Sequence, residues 1–226
     1  MRVPANAKLT LSLRITGQRD DGFHLIDAEM VSLDLADELE ISVGTNALPP
    51  DDLVSRALKA VGRDAAVRLH KHIPAGAGLG GGSADAAAIL RWAGCTDLDL
   101  AASIGADVPF CLVGGRASVR GIGEVVEPLP FADVDGATYT LLTPPVHVST
   151  PEVYRAWDRL GGPSGDGPND LEPAAVLVAP ELTVWRDRLG DATGQIPVLA
   201  GSGGTWFVTG SFEGIDGAVI ARAVRP

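Results

Sequence analysis

The run PAGAGLGGGSADAAA, from Pro74 to Ala88, is a glycine-packed loop that passes directly into an alanine-rich segment, and its reading decides the fold. Glycines lack Cβ and can bring backbone close to a ligand, so Gly76, Gly78, Gly80, Gly81 and Gly82 allow several N–H groups to converge on one anion. A helix expected to start near Ser83 adds its unpaired first-turn N–H groups and the positive end of its dipole. The loop thus reads as a phosphate cradle. A glycine loop with no ligand is the plainer reading of the same residues. Gly76 to Gly81 also satisfy the dinucleotide pattern GxGxxG, with Asp97 or Asp99 at a tolerable distance for a ribose contact. The preceding stretch VRLHKHI, Val67 to Ile73, argues against that. It alternates apolar and polar residues, whereas the first strand of a dinucleotide domain is buried on both faces. No Lys-Ser or Lys-Thr pair follows the glycines, so the P-loop pattern is absent as well.

Outward from the loop, Lys8 to Ile15 alternate strictly. Leu9, Leu11, Leu13 and Ile15 fall on one face and Lys8, Thr10, Ser12 and Arg14 on the other, the mark of a half-buried strand. A turn through Gly17, Asp20, Asp21 and Gly22 leads to a second extended region from His24 to about Val43. Helical spacing is expected over Asp52–Val61, Ser83–Trp92 and Leu98–Ile104, the last stopping at Gly105. RASVRGIGEVVEPL reads as strand, turn, strand with Gly121 and Gly123 at the reversal, and Tyr139 to Thr143 as a further strand.

A boundary near residue 137 divides the chain into an N-terminal lobe, 1–137, and a C-terminal lobe, 138–226. The second opens on STPEVYRAWDRL, where Ser149 and Glu152 suggest a capping box and Pro151 a first-turn position. A helix over Glu181–Leu189, two strands flanking AGSGGTW and a final strand GAVIARAV complete it. Strands and helices mix without regular βαβ alternation, so the class is α+β in two lobes.

Composition bounds the function. Of 226 residues 46% are hydrophobic and 21% charged, ordinary for a globular protein, and the net charge is −11. Such a balance excludes a nucleic-acid or anionic-membrane surface, so an anionic ligand must be held by local groups. Cys95 and Cys111 sit outside any disulfide or zinc pattern. The start MRVPANAKL carries no apolar signal core, and no run approaches a membrane span, so a soluble cytoplasmic protein is expected.

Few side chains stand out for chemistry. Asp107, in GADVPF, lies between a helix stop and Pro109; locally it reads first as a helix N-cap or turn acid, and second as a working carboxylate. Lys8 on a polar strand face reads as solvated, Phe23 as a core aromatic, His24 as a turn histidine and Tyr154 as a packing residue.

Three segments change their weight: PANAKLTLSLRITGQRDDGFH, KHIPAGAGLGGGSADAAA and GADVPFCLVGGRASVRGIGE, in that order. Together they resemble the GHMP kinases, and collinear likenesses continue through VSTPEVYRAW, PNDLEP and LAGSGGTWFV. The resemblance implies a two-lobed GHMP kinase fold with its site between lobes. It implies an ATP-dependent kinase acting on a hydroxyl of a cytidine-diphosphate-linked methylerythritol, on the way to isoprenoid precursors. It makes Asp107 and Lys8 the catalytic pair. It places ATP on Pro74, Gly76, Gly78, Leu79, Gly80, Gly81, Gly82 and Ser83, with Lys71 near the purine, and Mg2+ on the phosphates. It assigns no protein metal ligand, and Asp85 reads as a first-turn acid serving the helix dipole. Thr10, Phe23, His24 and Tyr154 become acceptor-binding residues, two of their rings able to sandwich a cytosine.

The chain departs from the family pattern in places. Thr10 stands where Asn is usual, Phe23 where Tyr is usual, and Asp52 where Asn is usual. Connections are trimmed around Asn46–Asp51, and a final helix after Thr209 is missing, which would bare a sheet face that a second copy of the chain could cover. A catalytically silent nucleotide-binding homologue and a kinase for another small alcohol are the alternatives these departures keep open.

Overall fold

The computed structural model describes residues 1–164 and 167–225; Pro226, the end of the second expected lobe, lies outside them. Two antiparallel sheets organise the chain, and the class is α+β. The first is founded on a long hairpin of β1 (Arg2–Gln18) and β2 (His24–Ser42), closed by a turn in which Arg19 N–H donates to Phe23 O. β2 is long enough to serve two further partners. Its second half pairs with β3 (Ala66–His70), and its first half with β4 (Arg116–Gly121), which carries β5 (Val125–Pro128) outside it. Gly121 and Gly123 make the reversal between β4 and β5, as their positions in the sequence suggest.

Helices α2 (Gly81–Trp92) and α4 (Val108–Val113) pack on this sheet, and α1 (Leu53–Ala60) and α3 (Leu98–Ile104) pack on those helices. α2 is the central one. Every residue from Ala84 to Leu90 is buried, and the alanines let β1, α1 and α4 approach it closely. It begins at Gly81, two residues before the expected Ser83, because Gly80 in left-handed conformation (φ +70°) already turns the chain into the helix. Asp52 does not belong to α1 but caps it, accepting from Val54 N–H at 2.8 Å.

The second sheet runs β7 (Val198–Leu199), β8 (Trp206–Thr209), β6 (Thr138–Leu142), β9 (Ala218–Arg222), with α5 (Thr150–Arg159), α6 (Glu172–Val178) and α7 (Leu182–Thr193) packed beside it. α4 and α6 are short helices that the pattern did not announce, and α7 extends four residues past the expected Leu189. The expected capping box of α5 is not made. Ser149 occupies the cap without a side-chain bond, and Glu152 N–H is met by the Ser149 carbonyl instead. On β9, Val219 and Ile220 remain partly exposed.

Several sets of bonds join the two sheets and their flanking elements. Val224 N–H donates to Ser32 O and Arg222 N–H to Asp34 Oδ1, fastening the end of β9 to β2. Leu13 exchanges backbone bonds with Pro168 and Asp170, while the Asp170 carboxylate takes Arg14 at 2.7 Å and Ile15 N–H at 2.9 Å. Thr205 N–H donates to Ala77 O, so the loop after β7 lies on the glycine loop. Among the described residues no helix is long and apolar enough to cross a membrane.

Candidate active site

The strict alternation of β1 promises a solvated Lys8 and Thr10, and here the structure differs. Lys8 is 5% exposed and Thr10 1%. The register with β2 shifts between Asn6 and Lys8 and again between Thr10 and Ser12, and such irregularities re-aim side chains. Leu9 goes into the core against α2. The other face is roofed by the loop of the second sheet, where a Cβ on Gly201 would stand 3.4 Å from Lys8 Nζ and 3.5 Å from Thr10 Oγ1. Buried on both faces, the lysine has fixed partners: it donates to Thr10 Oγ1 at 3.1 Å and pairs with Asp107 Oδ2 at 3.5 Å. Asp107 does hold the N-cap position of α4, but its carboxylate makes no capping bond. About a third of it is exposed, so it faces open space with Lys8 behind it.

That space is a cleft of about 470 Å³. Lys8, Thr10, Phe23, His24, Asp107 and Tyr154 all line it, so it gathers both expected catalytic residues and every expected acceptor-side residue. Phe23 is no core aromatic; it stands 59% exposed at the rim. The stacked pair is His24 on Tyr154, with ring centroids 4.9 Å apart, and Trp157 meets His24 edge-on at 5.4 Å. His24 Nε2 lies 2.7 Å from Asp158 Oδ1, which fixes the ring. Burial, with the Asp107 charge adding to it, pushes the Tyr154 hydroxyl up to about 12.

Sequence reasoning missed Asp158, Gly201 and Ser202, which also line the cleft. The glycine cluster of LAGSGGTW was a legible signal for the latter two; nothing local marks Asp158.

The glycine loop lies on the other side of Lys8 and not on the cleft wall. Lys8 N–H donates to Leu79 O at 3.0 Å, and a Cβ on Gly80 would come within 2.7 Å of Lys8 Cγ. Of the five loop glycines, Gly76, Gly78 and Gly80 have positive φ, while Gly81 and Gly82 are helical. Gly78 is required by packing inside the protein, since a Cβ there would meet the Ala200 and Gly203 carbonyls at 2.6 and 2.7 Å. Leu79 turns its side chain into the core and offers only backbone. The first intrahelical bond is Ala84 N–H to Gly80 O, so the N–H groups of Gly81, Gly82 and Ser83 form the open end of α2. The Lys71 ammonium is bonded to Asp37 and to Asp85. Among the described residues no group of three or more His, Cys, Asp or Glu gathers as a metal site.

Comparison with known proteins agrees with this arrangement. Residues 52–115, which contain the glycine loop and Asp107, match the GHMP kinases N terminal domain. A 4-diphosphocytidyl-2-C-methyl-D-erythritol kinase of Paracoccus denitrificans is 36% identical over 98% of this chain and 90% of its own length. One from Ruegeria pomeroyi is 35% identical over 97% and 92%. Among solved structures, a 4-(cytidine 5'-diphospho)-2C-methyl-D-erythritol kinase superposes with a TM-score of 0.75 at 33% identity, covering 92% of this chain and 89% of that one. A homoserine kinase from Cytophaga hutchinsonii shares the fold at a TM-score of 0.66 and 19% identity, covering all of this chain and 95% of its own. A buried lysine paired with an uncapped aspartate, set between an aromatic cleft and a glycine cradle, is thus found in a chain that belongs to the GHMP kinase family, within its 4-diphosphocytidyl-2-C-methyl-D-erythritol kinases.

Proposed function

We infer that this chain transfers a phosphoryl group from ATP to the 2-hydroxyl of 4-diphosphocytidyl-2-C-methyl-D-erythritol, in the non-mevalonate route to isoprenoid precursors. The observation that carries the reading is the Lys8–Asp107 pair at 3.5 Å, with the carboxylate free of any capping duty and opening on the cleft. Asp107 takes the proton of the acceptor hydroxyl as its oxygen bonds to the γ-phosphorus and the bond to the β-phosphate oxygen breaks, releasing ADP. Lys8 holds its charge beside the attacking and transferred oxygens, steadied by Thr10. The amides of Gly78 to Ser83 and the open end of α2 receive the triphosphate, with Pro74 and Gly76 shaping the start of the loop. An Mg2+ ion held through phosphate and water oxygens would supply charge neutralisation at the triphosphate, with no protein ligand assigned to it.

On the acceptor side His24 and Tyr154 form the aromatic floor for cytosine and Phe23 the exposed rim. Thr10 serves by orienting Lys8, and Asp52 spends its charge on capping α1, so neither departure from the family pattern argues for a silent homologue. We place the lobe division at residue 137, between β5 and β6, and the protein in the cytoplasm. The test is a coupled assay of ADP release with MgATP and the cytidine substrate. Turnover that Asp107→Asn abolishes supports the reading; no turnover, or an unimpaired variant, removes it.

A further inference from the structure

Behind the cradle two buried carboxylates share one half-exposed ammonium, a cluster that the phosphoryl transfer above does not use. Asp37 is 1% exposed on β2, in the same period-two register as Leu39 and Ile41, an acid on an otherwise apolar face. Its Oδ1 accepts from the backbone N–H of His72 at 2.5 Å and of Ile73 at 2.8 Å. Its Oδ2 takes the Lys71 ammonium, which at the same time donates to Asp85 Oδ2 at 2.6 Å. Asp85, 2% exposed, lies near the start of α2, and its Oδ1 has no hydrogen-bond partner. A Cβ on Gly81 would stand 3.4 Å from Asp37 Oδ2, so the carboxylate sits directly under the first residue of that helix. One side chain on β2 therefore ties the residues after β3 to the helix whose open amides face the donor.

We propose that Asp37 is a positioning residue for the nucleotide donor. Through His72, Ile73 and Lys71 it fixes the start of the glycine loop and, by way of Asp85 in the second turn, the N-terminal end of α2, so that the cradle amides converge before ATP arrives. This rests on the kinase reading in taking ATP as the donor. The physical need is clear from the sequence: a loop with this many glycines loses much backbone freedom when it closes on a ligand, and ordering it beforehand moves that cost from binding to folding. The cluster holds two carboxylates and one ammonium. Burial lowers the affinity of Lys71 for its proton, but the bonds to Asp37 and Asp85 outweigh it and raise its pKa, so the clamp stays charged.

The experiment uses Asp37→Asn and Asp37→Ala. Asparagine keeps a carbonyl oxygen for the two amides but turns an NH2 toward Lys71; alanine removes all three bonds. ADP affinity by calorimetry, the KM values for ATP and for the cytidine substrate, and hydrogen exchange over residues 71–83 are measured on each. ADP affinity and the KM for ATP should worsen by about tenfold in the alanine variant and less in the asparagine variant, with kcat and the acceptor KM within about threefold. Exchange should quicken over 71–83 and stay unchanged in β6 and β8. Unchanged ADP affinity in folded variants, or equal losses for both substrates, overturns the proposal. If neither variant folds, Asp85→Ala decides: it removes the acceptor that ties Lys71 to α2 while leaving the two amide bonds of Asp37, and unchanged ADP affinity there overturns the proposal too. Wild-type protein that binds ADP yet yields no product would sink the kinase reading alone, since ADP affinity still judges the clamp.

Discussion

The cleft in front of Lys8 is assembled from side chains the sequence holds far apart, whereas the cradle behind it is one continuous run of backbone. Lys8 and Thr10 come from β1, Phe23 and His24 from the end of the first hairpin, Asp107 from the start of α4, Tyr154 and Asp158 from α5, and Gly201 from a loop of the other sheet. The cradle needs only Pro74 to Ser83, but it is held by buried groups on β2 and by the loop of residues 200–204. One region puts its chemistry in side chains and its scaffold in the backbone. The other does the reverse. Their mutational responses should differ accordingly: losses in the cleft appear as rate or acceptor affinity, losses in the cradle as folding stability or donor affinity.

The sharpest break of that contrast is Asp107→Asn. It should lower kcat by ~10²–10⁴ in the coupled assay and leave the melting temperature nearly unchanged, since the carboxylate caps no helix. Next is Gly78→Ala. An added methyl meets two carbonyl oxygens and the residue has φ +76°, so urea denaturation should show a loss of about 2–4 kcal/mol, with the cradle and the 200–204 loop pushed apart. Tyr154→Ala removes the ring stacked on His24 and should raise the acceptor KM about two- to tenfold with the KM for ATP unmoved.

The smallest effect concerns Asp85. Burial is the main cause that lifts its folded pKa from 3.8 to about 6; Lys71 opposes the lift, and the charges of Asp37 and Asp52 add to it. Between those values the folded protein keeps a proton that the unfolded chain has lost, so its share of the stability declines as pH rises across that interval. Denaturation at several pH values should show this slope in the wild type and its loss in Asp85→Asn. An unaltered slope would mean that the carboxyl titrates normally.

The same contrast explains what the sequence made legible. The cradle was readable because its information is local: glycines, then a helix. Even so, the run gave no sign that Gly78 answers to the Ala200 and Gly203 carbonyls, a contact formed only when the two sheets meet. The family pattern singled out Lys8 and Asp107, but alternation alone assigned Lys8 to solvent, because period two cannot register a strand roofed on its polar side. The stacking of His24 on Tyr154 was not legible, since it depends on where the tertiary fold places α5. Asp37 was legible in principle, as a charge in the apolar register of β2.

The bond from Lys8 N–H to Leu79 O has a consequence for how two substrates share the molecule. A strand and a loop are stitched through one backbone bond, so the ammonium proposed to serve the acceptor is tethered to the loop proposed to receive the donor. Whatever tightens one bank of this channel sets the distance to the other.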